Sequence, residues 1–174
     1  LFTARPGYKG VETNMSNQES WLKGKKILVV DDEEDVLETV TEILEMANVD
    51  SALDYNTASE KIAHNKYDLA ILDIMGVNGL TLLEEAVEKN IPTIMLTAHS
   101  MDYKTLMLSI RKGSIAFLPK EMMADLDRYV DTLMNAYDSK ESTWKILFDE
   151  MGDFFSNRFG NQMETVEWIC RRID

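Results

Sequence analysis

The sequence predicts an α/β protein: a doubly wound, five-stranded parallel sheet of order 2-1-3-4-5 with five helices, plus a C-terminal helical extension. Three observations carry that expectation. "KILVV", "DLAILD" and "PTIMLTA" are near-continuous apolar runs, the mark of strands buried on both faces. Helical periodicity follows each of them. The connections are short, so five βα units imply parallel pairing, right-handed crossovers and helices on both faces.

Residues 1–24 read as a flexible N-terminal segment. "LFTARPGYKGVETNMSNQES" is polar and lacks the apolar middle of a signal peptide, and Met15 is a candidate initiator. Lys23, Lys25 and Lys26 read as a solvated entry to the first strand. Behind "KILVV", Val36, Leu37, Val40, Ile43, Leu44 and Ala47 recur at helical spacing, with Asn48 closing the helix. "VDSALDY" is a weaker, edge-ward strand, and "TASEKIAHNK" a short helix with Thr57 as cap and His64 on its surface. After "DLAILD", Leu80, Leu83, Ala86 and Val87 mark the third helix. Pro92 opens the next strand, at the position where a missing N–H is tolerated. Asp102 to Lys112 reads as a helix stopped by Gly113. "IAFL" is the last strand, and Met123, Leu126, Tyr129, Val130, Leu133 and Tyr137 form one face of the fifth helix.

These units fill residues 25–138 and leave 139–174 as the helical extension. In it Trp144, Leu147, Phe148, Met151, Phe154 and Phe155 fall at helical spacing, and Val166, Trp168 and Ile169 add apolar surface. Such a face is rarely left in water. It is either a brace packed on the main body or a partner-binding or dimerising helix, and the expected docking surface is the fourth strand, fourth helix and fifth strand.

The chain has 174 residues, 45% of them hydrophobic, enough for a sizeable core. No apolar run approaches the roughly 20 residues of a membrane span. With 31 acidic against 18 basic residues the formal charge is −13, and no segregated basic patch exists, which argues against a nucleic-acid surface. The single cysteine, Cys170, rules out an internal disulfide and suits a reducing cytoplasm.

The strand ends carry the chemistry. The first strand delivers Asp31 and Asp32, the third Asp73, the fourth Thr97 followed by small Ala98, and the fifth Phe117 and Lys120. In an open parallel sheet these carboxyl ends face the crevice at the topological switch point. Three neighbouring carboxylates raise one another's pKa values unless a cation intervenes, and a hard divalent ion such as Mg²⁺ takes such oxygens. A carboxylate beside that ion, with a lysine and a hydroxyl opposite, can attack a phosphoryl group and hold the aspartyl phosphate. Blander readings exist. Acids at a helix start complement its dipole, Thr97 suits any strand, Phe117 suits any core, and Lys120 suits solvent. Asp73 resists, because an acid ending "LAIL" has no structural reason to be there.

Four pieces, "ILVVDDEEDV", "DLAILD", "PTIMLTA" and "GSIAFLPKE", stand in the order and at the separations of a response-regulator receiver domain, which the chain resembles from residue 25 to about 138. The resemblance implies a flavodoxin-like sheet and a switch that accepts a phosphoryl group from a sensor histidine kinase or phosphotransfer protein. It implies Asp73 as phosphoacceptor. Asp31, Asp32 and Asp73 would hold Mg²⁺ or Mn²⁺ with the backbone carbonyl of Met75, Asp32 more directly and Asp31 through water. Thr97 matches the switch hydroxyl, Phe117 the switch aromatic, and Lys120 the lysine that meets the phosphoryl oxygens. Glu33 to Asp35 would serve the first helical turn. Met75 and His99 stand as modulators of phosphoryl lifetime. The implied setting is cytoplasmic, with a downstream protein target, a homodimer as a further arrangement, and neither nucleic acid nor membrane. No stand-alone enzyme is expected, only self-phosphorylation and dephosphorylation.

Two departures from the family pattern bear on geometry. "DIMGVNG" is two residues shorter than the usual D-x-x-M-P-x-x-x-G loop, with Gly76 and Gly79 supplying turn freedom. "LPKE" has Glu121 where proline usually follows the lysine, which disfavours a cis bond. Two other functions compete: a phosphorylation-independent receiver-like interaction module, and an aspartyl phosphatase of the haloacid-dehalogenase type. The latter needs a second aspartate where this chain has Met75.

Overall fold

Five strands and the helices between them build the protein in the computed structural model, which describes residues 19–98 and 102–173. Strands β1 (Lys26–Val30), β2 (Asn48–Ala52), β3 (Leu69–Asp73), β4 (Thr93–Thr97) and β5 (Ala116–Pro119) pair in parallel in the order β2-β1-β3-β4-β5. Every residue of β3, β4 and β5 is buried, as continuous apolar runs require. At the edge, β2 fully buries only Ala52. Helices α1 (Glu34–Ile43), α2 (Tyr55–His64), α3 (Gly79–Glu88), α4 (Tyr103–Arg111) and α5 (Leu126–Asp138) connect and cover the sheet. α1 lies beside α5 and α2 beside α3, which makes the two outer layers of a doubly wound fold.

Several element ends differ from expectation. α1 stops at Ile43, because the chain turns through Leu44 to Ala47, whose N–H donates to the Leu44 carbonyl at 2.8 Å. Asn48 does not close the helix; it opens β2, donating its backbone N–H to the Lys25 carbonyl at 2.7 Å. Asp54, not Thr57, caps α2, with Oδ1 accepting from the Thr57 N–H at 2.9 Å. α4 begins behind its Asp102 cap and ends before Gly113, whose φ of +100° suits only glycine. A 3₁₀ stretch, Lys120–Asp125, precedes α5 and holds Met123 half-buried, while Tyr137 is 37% exposed. The buried face of α5 is therefore Leu126, Tyr129, Val130, Leu133, Met134 and Ala136.

Described residues on either side of these units pack against them. Trp21 and Leu22, assigned from sequence to a flexible segment, are buried. The Trp21 backbone N–H donates to Asp131 Oδ1 at 2.6 Å and its Nε1 to Asp138 Oδ2 at 2.8 Å, both on α5. Lys25 and Lys26 are not simply solvated: each ammonium lies 4.9 Å from a ring centroid, Trp21 and Tyr67 respectively. Beyond α5, helices α6 (Thr143–Phe159) and α7 (Met163–Ile173) form a hairpin. α6 lies against β5 and α5, so the expected docking surface is right in β5 but shifted to include α5. The Thr143 hydroxyl donates to the Ile115 carbonyl, and Trp144 Nε1 to the Ser114 carbonyl at 3.2 Å. Trp144, Leu147, Met151 and Phe155 are buried on α6, and Met163, Val166 and Cys170 on α7. Trp168 stays 55% exposed, with the Arg172 guanidinium 3.9 Å above its ring. Among the described residues no helix is long and apolar enough to cross a membrane.

Candidate functional site

The strand order reverses between β1 and β3, and the connections leaving their carboxyl ends diverge to leave a crevice. Val30 is in register with Leu72, so the next residues, Asp31 and Asp73, emerge side by side. Asp31, Asp32 and Asp73 each bring a carboxylate oxygen within 4.8 Å of the others. Asp31 is fully buried, Asp73 is 4% exposed, and Asp32 faces solvent.

Lys120 closes the other side. Its Nζ stands 2.7 Å from Asp31 Oδ2, 3.2 Å from Glu33 Oε1 and 3.6 Å from Asp73 Oδ1. Burial above all, and then the Asp31 charge, push the Asp73 carboxyl up to about 6; Asp32 adds to this and Lys120 opposes it. Burial works against the Lys120 charge, but Asp31, Asp73 and Glu33 outweigh it and hold its pKa above the ordinary value. Asp31 Oδ2 is wholly buried and, despite its nearness to Lys120, receives no well-directed hydrogen bond. A buried carboxylate oxygen with spare capacity, beside two further carboxylates, fits a hard divalent cation.

The loop after β3 is shaped by two glycines. Gly76 has φ +71°, and the Val77 N–H donates to the Met75 carbonyl at 2.7 Å, which closes a three-residue turn. Gly79 is needed for a different reason: a β carbon there would stand 1.9 Å from the Asp73 carbonyl oxygen. Two residues shorter than the usual loop, this one passes directly beneath the strand end. The Met75 side chain is 68% exposed and does not fill the crevice, while its carbonyl already serves Val77.

The remaining sequence candidates fall in different places. Thr97, the last residue of β4, is buried, and its Oγ1 donates to the Ala98 carbonyl at 3.4 Å. Phe117 is buried on β5 with its ring centroid 6.3 Å from that of Phe155 on α6, so it joins the C-terminal hairpin to the sheet. His99 lies outside the described residues. No cis peptide bond occurs among the described residues, the Lys120–Glu121 bond included. Glu33 departs from expectation. It makes no side-chain cap bond to α1 and instead accepts from Lys120, leaving Glu34 and Asp35 in the first helical turn. Its place directly after the acid pair was the available signal.

Residues 27–131 match the family profile of the response regulator receiver domain. The chain is 42% identical over 82 residues to the regulatory protein VanRB of Enterococcus faecalis, a match covering 44% of this chain and 37% of that protein. It is 32% identical over 117 residues to the two-component response regulator ARR12 of Arabidopsis thaliana, covering 63% and 20%. The chain thus spans well under half the length of these curated relatives. Among solved structures, a CheY-like response regulator receiver domain protein from Methanospirillum hungatei superposes with a TM-score of 0.61 at 26% identity, over 68% of this chain and 99% of that one.

Proposed function

From the premise that this chain belongs to the response regulator receiver family, we propose that it is a phosphorylation switch whose acceptor is Asp73. The observation that carries the reading is the buried Asp73 carboxylate at the end of β3, facing Lys120 and sharing a crevice with Asp31 and Asp32.

The donor is the phosphohistidine of a sensor histidine kinase or phosphotransfer protein. An Asp73 carboxylate oxygen attacks phosphorus; the P–N bond breaks and its electron pair leaves with the imidazole nitrogen. Asp31, Asp32 and Asp73, with the Met75 carbonyl, would hold Mg²⁺ or Mn²⁺. When bound, that ion offsets the charge gathered where the phosphoryl oxygens meet the carboxylates. Lys120 approaches from the β5 side and pairs with a phosphoryl oxygen, so part of the charge is met by a cation the fold already positions. Burial excludes bulk water from Asp73, which favours a persistent adduct over immediate hydrolysis. Thr97 and Phe117 are the residues through which the new charge would be read, and a downstream protein is the recipient of the signal.

Acetyl phosphate with Mg²⁺, followed by intact-mass measurement, tests the reading. A single adduct of one phosphoryl group in the parent, absent from Asp73→Asn and absent in a chelator, is the expected result. No adduct under any condition would favour the phosphorylation-independent module, and rapid turnover of the donor would favour a phosphatase.

A further inference from the structure

Among the described residues, Glu33 is a carboxylate that pairs with Lys120 at the crevice and that the proposed transfer does not use. Its backbone is fixed by its neighbour: Asp31 Oδ1 accepts from the Glu33 N–H at 3.0 Å, holding it extended at φ −96° and ψ 111° at the entry to α1. From there its side chain leaves the helix end uncapped and reaches across the crevice to β5, accepting from Lys120 Nζ at 3.2 Å. It is the exposed one of the three carboxylates that face Lys120, with 65% of its side chain open against 1% for Asp31 and 4% for Asp73. Lys120 therefore has two anchors on the β1 side, Asp31 and Glu33, and sits farthest from the third acid, Asp73.

We propose that Glu33 is a positioning residue that holds Lys120 toward β1 and must release it when Lys120 turns to a phosphoryl group on Asp73. The inference rests on the reading of Asp73 as phosphoacceptor. A phosphoryl oxygen and Glu33 Oε1 compete for one ammonium, whose two nearest carboxylate oxygens at rest lie on the β1 side. Asp31 is needed beside the cation, so Glu33 is the partner that can be given up, and its exposure lets water take over its hydrogen bonds. An ion pair with an exposed carboxylate is weak, so the competition is worth only about two- to fivefold in rate or affinity.

The test compares parent, Glu33→Gln and Glu33→Asp, reading the rate of labelling by small phosphodonors and the binding of beryllofluoride as a phosphoryl mimic, all with Mg²⁺. Glu33→Gln should label two- to fivefold faster and bind beryllofluoride tighter by a similar factor. Glu33→Asp keeps the charge but is one methylene too short for Lys120, and should match Glu33→Gln. The gain should be equal with dianionic acetyl phosphate and with phosphoramidate, whose nitrogen offsets part of its charge. A gain confined to acetyl phosphate, or a Glu33→Asp protein that behaves as the parent, would mean that Glu33 acts by repelling the donor and would overturn the proposal. So would an unchanged or slower Glu33→Gln. A parent that takes no label at all overturns the reading of Asp73, whereas a labelled parent matched by Glu33→Gln overturns this inference alone.

Discussion

Gly76 stands against Asp32: a β carbon on Gly76 would lie 2.4 Å from the Asp32 carboxyl carbon and from both its oxygens. The glycine also holds φ +71°, a conformation that costs other residues about 1 kcal/mol. Asp32 is exposed and can swing aside, so the fold should survive the clash while the carboxylate leaves its place. Gly76→Ala is expected to lower stability by about 1 kcal/mol and Mg²⁺ affinity by about tenfold. Calorimetric Mg²⁺ titration checks this, and unchanged affinity would remove Asp32 from the cation's ligands.

Asp73→Asn should stabilise the metal-free protein at neutral and alkaline pH. Burial first, then Asp31, raises the Asp73 carboxyl from 3.8 to about 6. A raised acid favours folding while it is protonated. Its contribution is therefore complete below pH 3.8 and lost as pH rises through about 6. Above that, the ionised carboxylate costs roughly 1–3 kcal/mol, which the neutral amide escapes. Thermal unfolding in a chelator should place Asp73→Asn above the parent at pH 8 and level with it at pH 4, with Mg²⁺ narrowing the gap. A lower melting temperature than the parent at pH 8 would show that the carboxylate's pairing with Lys120 outweighs its burial.

What could be read in the sequence and what could not divide along one physical line. β1, β3 and β4 were legible because strands buried on both faces leave unbroken apolar runs, and their order followed from short crossovers. Asp31 and Asp73 stood out because each terminates such a run. Asn48 was misplaced because Leu44 and Ala47 continue the helical spacing through a turn, and Asp54 because it sits within a strand-like alternation. Glu33 reads as part of its own helix, since its partner lies 87 residues away and only its place directly after the acid pair hints at it. The docking of Trp21 on Asp131 and Asp138, 110 and 117 residues distant, was hidden for the same reason.

That docking should matter for stability. Trp21 is 8% exposed and gives both its backbone and indole N–H groups to carboxylates of α5. Trp21→Ala loses the aromatic burial and leaves Asp138 without its indole donor, at a cost of about 3 kcal/mol. Urea unfolding should show a lower midpoint. A loss below about 1 kcal/mol would mean that the segment merely rests on the surface.

The C-terminal hairpin should sense the state of Asp73, because β5 joins the two. Its approach is held under α6 through the Ser114 and Ile115 carbonyls, its middle carries Phe117 against Phe155, and Lys120 follows directly among the acids. Phe155 is wholly buried, with the rings of Phe148, Phe154 and Phe159 at 5.3, 5.6 and 6.2 Å. Packing this dense transmits displacement instead of absorbing it, so a shift of Lys120 toward a phosphoryl oxygen pulls on a four-residue strand already seated in the hairpin. Hydrogen exchange over residues 144–170 is expected to change on phosphorylation of the parent and to stay fixed in Asp73→Asn under the same treatment. Fluorescence of Trp144 and Trp168 offers a second readout once Trp21→Phe removes the third indole while keeping most of its burial. Identical exchange and emission in both states would make the hairpin a permanent brace; the surface that reports phosphorylation would then lie on α4 or on the exposed side of α5, away from Phe155.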